Sequence, residues 1–373
     1  MGIFQNNLLA AAAAAAATGD GGNLWGVGDG GEGQLGVLNT SNYSSPVQVL
    51  GGHTWLSVAA GQQTIVAVKD DNTLWAWGGA ASGRLGNGTT SPNICSPIQI
   101  GSLTDWAKAE AHHVGAHGIK TDGTLWGWGG NDHGEMGNGN TTAYSSPIQI
   151  GSLTDWSSGG SNFTTTMLIK TDGTLWACGG NHIGQLGLGD TTDRSSPTQV
   201  GTLTTWAKVS AGKDFTHAVR TDGTIWSWGL GNNGRTGHGN TTHYCSPVQI
   251  GSLTDWAEVA CGDRSVLAVK TDGTLWGWGR NTDGEVGDGT KIARSSPVQI
   301  GSLTDWSLVS CTTNAASAIK TDGTLWTWGN GKKGKLGHGI SLEYLCSPVQ
   351  VGDLTTWVRG INTYEWMTWL VEE

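Results

Sequence analysis

Charged side chains are scarce in this chain: they make up 13% of its 373 residues, and acids outnumber bases to leave a formal net charge of −10. A nucleic-acid binder needs a basic footprint to displace counterions from phosphates, so no nucleic-acid partner is expected. The one basic cluster, Lys332, Lys333 and Lys335, falls between patterned segments and reads as a solvated loop tip. Cysteine is sparing too, with six residues. Cys95, Cys245 and Cys346 repeat one slot in non-neighbouring units, too far apart for a bridge that needs Cα atoms within about 7 Å. Cys261 and Cys311 share another slot in adjacent units, where a pair is allowed but not required. No Cys-x-x-Cys or Cys/His metal spacing occurs, so small buried thiols and no metal site are expected. Long apolar runs are missing apart from an alanine tract at residues 10–17, preceded by Leu8 and Leu9. It is too short and too weakly apolar to span a bilayer, and it lacks the Lys or Arg of a secretory leader. Gly2 is followed by Asn6 where a myristoylation signal has Ser or Thr. Residues 1–18 are therefore expected to form a short helix, marginal alone and stabilised by a packing partner.

What the chain has in abundance is tryptophan and glycine, 21 and 62 residues. Nineteen of the tryptophans fall on three slots of one unit that occurs seven times. The first slot holds Trp55, Trp106, Trp156, Trp206, Trp256, Trp306 and Trp357; the second holds Trp25, Trp75, Trp126, Trp176, Trp226, Trp276 and Trp326. The third, two residues on, holds Trp77, Trp128, Trp228, Trp278 and Trp328, with Val27 and Cys178 in the other two units. A fixed period of this length marks a propeller, solenoid or array.

One unit, from Trp256 to Gly301, reads as four strands. Trp256 to Ala260 alternates as a strand, and Ser265 to Lys270 forms a second. Asp272-Gly273 supplies a two-residue hairpin turn. Thr274 to Trp278 is the third strand, with both tryptophans on one face because side chains alternate. Ser296 to Ile300 is the fourth, and its proline suits an exposed sheet edge. Seven such units predict an all-β, seven-bladed propeller over residues 19–373. The segment from Trp357 to Val371 supplies the first two strands of a unit and Asn23 to Val49 the last two, so the ends are expected to complete one blade and close the ring.

The string Lys-Thr-Asp-Gly-Thr-Leu-Trp-Gly-Trp-Gly at 270–279, with Gly287 and Ser296-Pro297-Val298, resembles the regulator of chromosome condensation repeat. Its Leu-Gly element stands at Leu35-Gly36, Leu85-Gly86, Leu186-Gly187 and Leu336-Gly337. The resemblance implies a propeller and an interaction role. The family's usual second-strand histidine is replaced here by Thr64, Gly115, Thr165, Phe215, Ser265, Ala315 and Trp366. Nucleotide exchange on a small GTPase is not carried over, since the units are uniform, without an insertion to act as a wedge.

Chemical motifs are thin. Gly229-Leu-Gly231-Asn-Asn-Gly234 and Gly329-Asn-Gly331-Lys-Lys-Gly334 match a dinucleotide fingerprint in letters, but a strand follows where a helix is needed. Asn281-Thr-Asp283-Gly284-Glu285 lacks the terminal glutamate of a calcium loop. Asp122, Asp172, Asp222, Asp272 and Asp322 recur at one hairpin and read as turn formers. His112, His113 and His117 crowd one unit without a further ligand and read as exposed loop histidines. No catalytic residue, cofactor or metal is expected, and the protein reads as a non-enzyme.

Comparison among the copies is more informative. The hairpin Thr-Asp-Gly-Thr and the link Gly-Ser-Leu-Thr-Asp are nearly constant, whereas the first turn differs every time. It holds Gln62-Gln63, His113-Val114, Phe163-Thr164, Lys213-Asp214, Asp263-Arg264, Thr313-Asn314 and Tyr364-Glu365. In a four-stranded blade the first and third turns share one face of the disc, and the third turn varies too. A face that binds a protein or glycan is therefore expected, with Phe163, Tyr364 and Trp366 as aromatic anchors. The opening Met-Gly-Ile-Phe-Gln-Asn-Asn-Leu-Leu-Ala resembles virion structural proteins of marine tailed phages. That resemblance implies attachment to a larger particle through residues 1–18, as a host-contacting appendage or a decoration with no ligand of its own.

Overall fold

The computed structural model describes residues 23–361 and 367–372; the expected N-terminal helix lies outside them. Within the described residues strand follows strand, and the helical content is three single 3-10 turns at Ala81–Gly83, Asn232–Gly234 and Lys332–Gly334. The hairpins are built as their sequence suggests. Asp122 Oδ1 accepts both the backbone N–H and the hydroxyl of Thr124, at 2.9 and 2.7 Å. Gly123 between them sits at φ +79°, and a Cβ there would lie 2.1 Å from the Thr154 carbonyl oxygen. Only glycine satisfies both demands. The recurring aspartates are thus turn formers, and Asp172, Asp222, Asp272 and Asp322 repeat the same bonds.

Six blades, residues 55–99, 106–149, 156–199, 206–249, 256–299 and 306–350, are each a four-stranded antiparallel sheet with strands in chain order. Six blades therefore stand where seven were expected. The remaining strands form a composite sheet in the order Tyr43–Gln48, Asn23–Gly28, Met367–Glu372, Trp357–Ile361. Asn23–Gly28 runs antiparallel to Met367–Glu372 with Gly26 opposite Trp369, so the two ends share one sheet. Third and fourth strands are shifted from the expected bounds, to Leu275–Gly279 and Arg294–Gln299 in the fifth blade. An irregularity between Gly277 and Gly279 accounts for the shift by inserting extra backbone at the strand end.

First strands of successive blades neighbour one another around the axis. They are rich in Ala, Gly, Ser and Val, and they line a central cavity of about 270 Å³. Fourth strands stand at the outer edge with their prolines. The tryptophan rings divide the work between these layers. Third-slot indoles are wholly buried and donate across the blade boundary: Trp77 to the Gln34 carbonyl, Trp128 to Arg84, Trp228 to Gln185, Trp278 to Arg235 and Trp328 to Glu285, at 2.9–3.2 Å. Cys178 replaces the indole with a longer thiol contact to the Glu135 carbonyl, 3.5 Å. Second-slot indoles stay within their own blade, as Trp126 does on the Thr124 hydroxyl. First-slot rings pack edge-on against them, and a lysine closes the pair: Lys120 Nζ lies 4.2 Å from the Trp126 ring centre and 5.3 Å from that of Trp106.

Candidate functional site

The first turn of every contiguous blade is tied to the start of its third turn by one backbone bond. Gly79 N–H donates to Gln63, Gly130 to Val114, Gly180 to Thr164, Leu230 to Asp214, Arg280 to Arg264 and Asn330 to Asn314, at 2.7–2.9 Å. Both variable turns therefore lie on one face. The hairpins and links occupy the other, where Lys120, Lys170, Lys270 and Lys320 pair with Asp105, Asp155, Asp255 and Asp305 at 3.2–3.3 Å. That face repeats its chemistry as well as its sequence.

Third turns are organised by a buried side chain that precedes the Leu-Gly element. Gln34, Glu135, Gln185 and Glu285 each accept a backbone N–H from two residues back, at 2.6–2.9 Å. Arg84 and Arg235 invert the polarity and donate Nε to the Ala81 and Asn232 carbonyls. Burial raises the Glu135 and Glu285 carboxyls above their usual range. Burial foremost, with help from Arg264, brings Arg235 down to about 10. Lys335 fills the same slot and is fully buried, so it leaves the expected solvated tip, while Lys332 and Lys333 are exposed there and Lys333 pairs with Asp29 at 2.6 Å. These residues vary in charge at a fixed slot, a signal that attention to Leu-Gly alone passes over.

The expected partner-binding residues fall into three groups. His113, Phe163 and Lys213 come from three successive blades and stack. The His113 and Phe163 ring centres are 4.4 Å apart, and Lys213 Nζ lies 4.4 Å from the Phe163 ring centre. Phe163 holds φ +47° and Asp214 φ +67°, left-handed conformations that cost a non-glycine residue on the order of 1–2 kcal/mol. Such strain persists where the surroundings demand it, and it collects at functional sites. Gln62, Gln63, Arg264 and Asn314 are half-buried around the same face. Asp263 is only 4% exposed and turns toward the central cavity, so it is not part of the accessible face. Tyr364, Glu365 and Trp366 lie outside the described residues.

The histidines correct a second expectation. His112 and His117 are buried at 3% and 1% exposure, not exposed in a loop, and their rings lie 5.4 Å apart. His117 sits in the second strand and its Nε2 is 3.2 Å from the Met136 carbonyl. Burial pushes it down to about 4 and holds His112 well below its ordinary range. Among the described residues no group of three or more His, Cys, Asp or Glu is placed to hold a metal. The glycine-rich stretch at 229–234 ends in a single 3-10 turn and a strand, which offers no helix for a pyrophosphate. No helix among the described residues is long and apolar enough to cross a membrane.

Taken together, these features define a repeat propeller that presents a varied loop face on an invariant frame. The model of the Regulator of chromosome condensation (RCC1) repeat matches residues 21–68, 122–166, 172–219, 222–269, 272–319 and 322–361, more than half of the chain. The protein belongs to that family. It is 32% identical over 121 residues to human E3 ubiquitin-protein ligase HERC2, a match covering 31% of this chain and 2% of the ligase. It is 31% identical over 125 residues to the Arabidopsis thaliana ultraviolet-B receptor UVR8, covering 31% of this chain and 27% of the receptor. The matched segments are thus small parts of these relatives. Among solved structures, human WBSCR16 superposes with a TM-score of 0.84 at 18% identity, covering 94% of this chain and all of that one. Prp20p from Saccharomyces cerevisiae, described with its binding to Gsp1p and histones, gives 0.82 at 17%, covering 95% and 92%. Likeness at these identities establishes the fold. Nothing in the comparisons bears on a virion.

Proposed function

We propose that the protein is a non-enzymatic interaction scaffold whose face of first and third turns grips a protein partner. One observation carries the reading: variation among the copies is confined to turns that the fold brings onto a single face, while the turns of the opposite face keep both sequence and bonding. Drift of exposed loops would not respect that division. Strained Phe163 and Asp214 on adjacent turns support it, and so does the protein-binding record of Prp20p within the same fold. Tyr364, Glu365 and Trp366 remain in the proposal on their sequence position alone.

The face needs a rigid ring behind it. We infer that the composite sheet serves as a seventh blade. One hydrogen bond recurs at each blade boundary: Gly88 N–H to Ser145, Gly139 to Ser195, Gly189 to Cys245, Gly239 to Ser295 and Gly289 to Cys346. Leu38 to Cys95 and Gly339 to Ser44 continue the series at 2.8 and 2.7 Å through the composite sheet.

A photo-crosslinking residue placed at Gln63, Lys213 or Asn314 tests the function, with Leu153 and Leu253 on the link face as comparators. Both leucines are exposed, at 46% and 47%, so the comparison is fair. In extracts of the source cells, the three turn positions are expected to crosslink one common protein and the two leucines none. Capture from the leucine positions alone overturns the reading, and capture of glycan alone replaces its partner class.

A further inference from the structure

Resting on the reading that the turn face binds a protein, we propose that one cleft on it is an anion site that takes an acidic peptide segment of the partner. The cleft lies between the third turn of the fourth blade and the first turns of the fourth and fifth, with a volume of about 390 Å³. Its lining carries four cations, Lys213, Arg235, Arg264 and Arg280, against one carboxylate, Asp214. In a chain of net charge −10 this concentration runs against the overall balance.

Only Arg280 among the four has ion-pair partners within the described residues, and both pairs are long. Arg235 is 5% exposed, and its guanidinium is fixed by neutral carbonyls: Nε on Asn232 at 3.0 Å, and one terminal nitrogen on Lys213 and Asp263 at 3.1 and 3.4 Å. Arg280 donates to the Asn314 side chain at 2.8 Å and makes long ion pairs, at 3.9 Å, with Asp283 and Glu285. Arg264 is half-buried and makes no ion pair among the described residues. The lone lining carboxylate, Asp214, lies 3.5 Å from His182 Nε2 on a neighbouring third turn. A guanidinium fork held by neutral groups in a partly dry cleft gains most from a carboxylate that pairs with it.

Peptide is favoured over a denser polyanion by what surrounds the cations. Asp214 and Asp283 flank them and would repel a strand of closely spaced phosphates or sulfates, whereas single carboxylates on a peptide can be spaced between them. Asn232, Asn233 and Thr241 add neutral hydrogen-bonding groups of the kind that suit a peptide backbone. The stacked Phe163 and Lys213 at the edge provide an apolar shelf beside the charges.

The test is calorimetric titration of the full chain with a ten-residue glutamate-rich peptide, its lysine-rich counterpart, and heparin. Wild type is expected to bind the glutamate peptide and not the lysine peptide, with affinity falling at least tenfold when salt is raised from about 50 to about 500 mM. Arg264→Gln is expected to weaken binding at least tenfold and Arg264→Lys to recover only part of it, with unchanged far-ultraviolet dichroism in both. Arg264→Gln binding the glutamate peptide as wild type does overturns the anion site, and heparin displacing that peptide from wild type overturns the peptide assignment. Should crosslinks from the turn positions persist in that case, the binding face stands and only its acidic specificity fails. Loss of those crosslinks fails the face itself.

Discussion

Acid should destabilise this propeller through its buried imidazoles before its aspartates contribute. Folded protein holds His117 neutral, with its pKa at about 4 against an ordinary 6.5. The unfolded chain takes up a proton near 6.5, so the stability due to this group is complete above that pH and is lost as pH falls toward about 4. Over that window the loss is about 3 kcal/mol, at 1.36 kcal/mol per pH unit. His112 and His217, both held well below their ordinary range by burial, act in the same direction. Glu135 and Glu285 act in the opposite one, since their raised carboxyls protonate first in the folded state. The hairpin aspartates, whose pKa values are lowered, enter only below their usual range. The informative quantity is therefore the difference between wild type and His117→Leu. Leucine is apt because Met167 and Leu267 occupy the same register position in other blades. Losing the contact with the Met136 carbonyl costs about 1 kcal/mol at every pH and leaves the slope untouched. Urea unfolding at pH 7, 5.5 and 4.5 should show wild type losing stability relative to the variant by roughly 1–3 kcal/mol across the range. Parallel loss in the two proteins would refute the reasoning.

Two further substitutions probe the frame. Trp228→Phe removes a fully buried donor from the Gln185 carbonyl and part of an inter-blade ring, so a loss of about 2–3 kcal/mol is expected from urea midpoints. Trp226→Phe, half-buried and bonded within its own blade, should lose only about 1 kcal/mol; equal losses would contradict the division of labour between the rings. Glu372 stands opposite Trp357, in the register position where Lys120 stands opposite Trp106. Glu372→Lys should stabilise the composite sheet by roughly 0.5–1 kcal/mol through the missing cation–ring contact, read as a higher thermal midpoint. A lower midpoint would mean that this sheet is not built like the other blades.

Much of the frame was legible because its signals are local and repeated. Asp-Gly turns, paired tryptophans and edge prolines sit within one unit and are copied six or seven times. Matching the chain ends to half-units also anticipated their pairing in one sheet. Burial across blade boundaries was much harder to read. Strand 115–120 is covered on both faces, so His117 lacks the polar-out alternation that distinguishes a solvated position. Lys335 and Asp263 look exposed in a glycine-rich or turn-like string, yet the fold buries both. The cleft was invisible for the same reason. Arg235, Arg264 and Arg280 are far apart in the chain and converge only when successive blades pack. Variation among the copies singled out one face but could not say which turns meet across it.

Hydrogen exchange tests the central claim most directly, measured on the full chain with and without the crosslinked partner. Protection is expected at the first turns around residues 62–63, 113–114, 163–164, 213–214, 263–264 and 313–314, and in the third turns beside them. The hairpins around Asp122, Asp172 and Asp272 should exchange at the same rate in both states. Protection confined to those hairpins and the links would place the partner on the constant face and contradict the account.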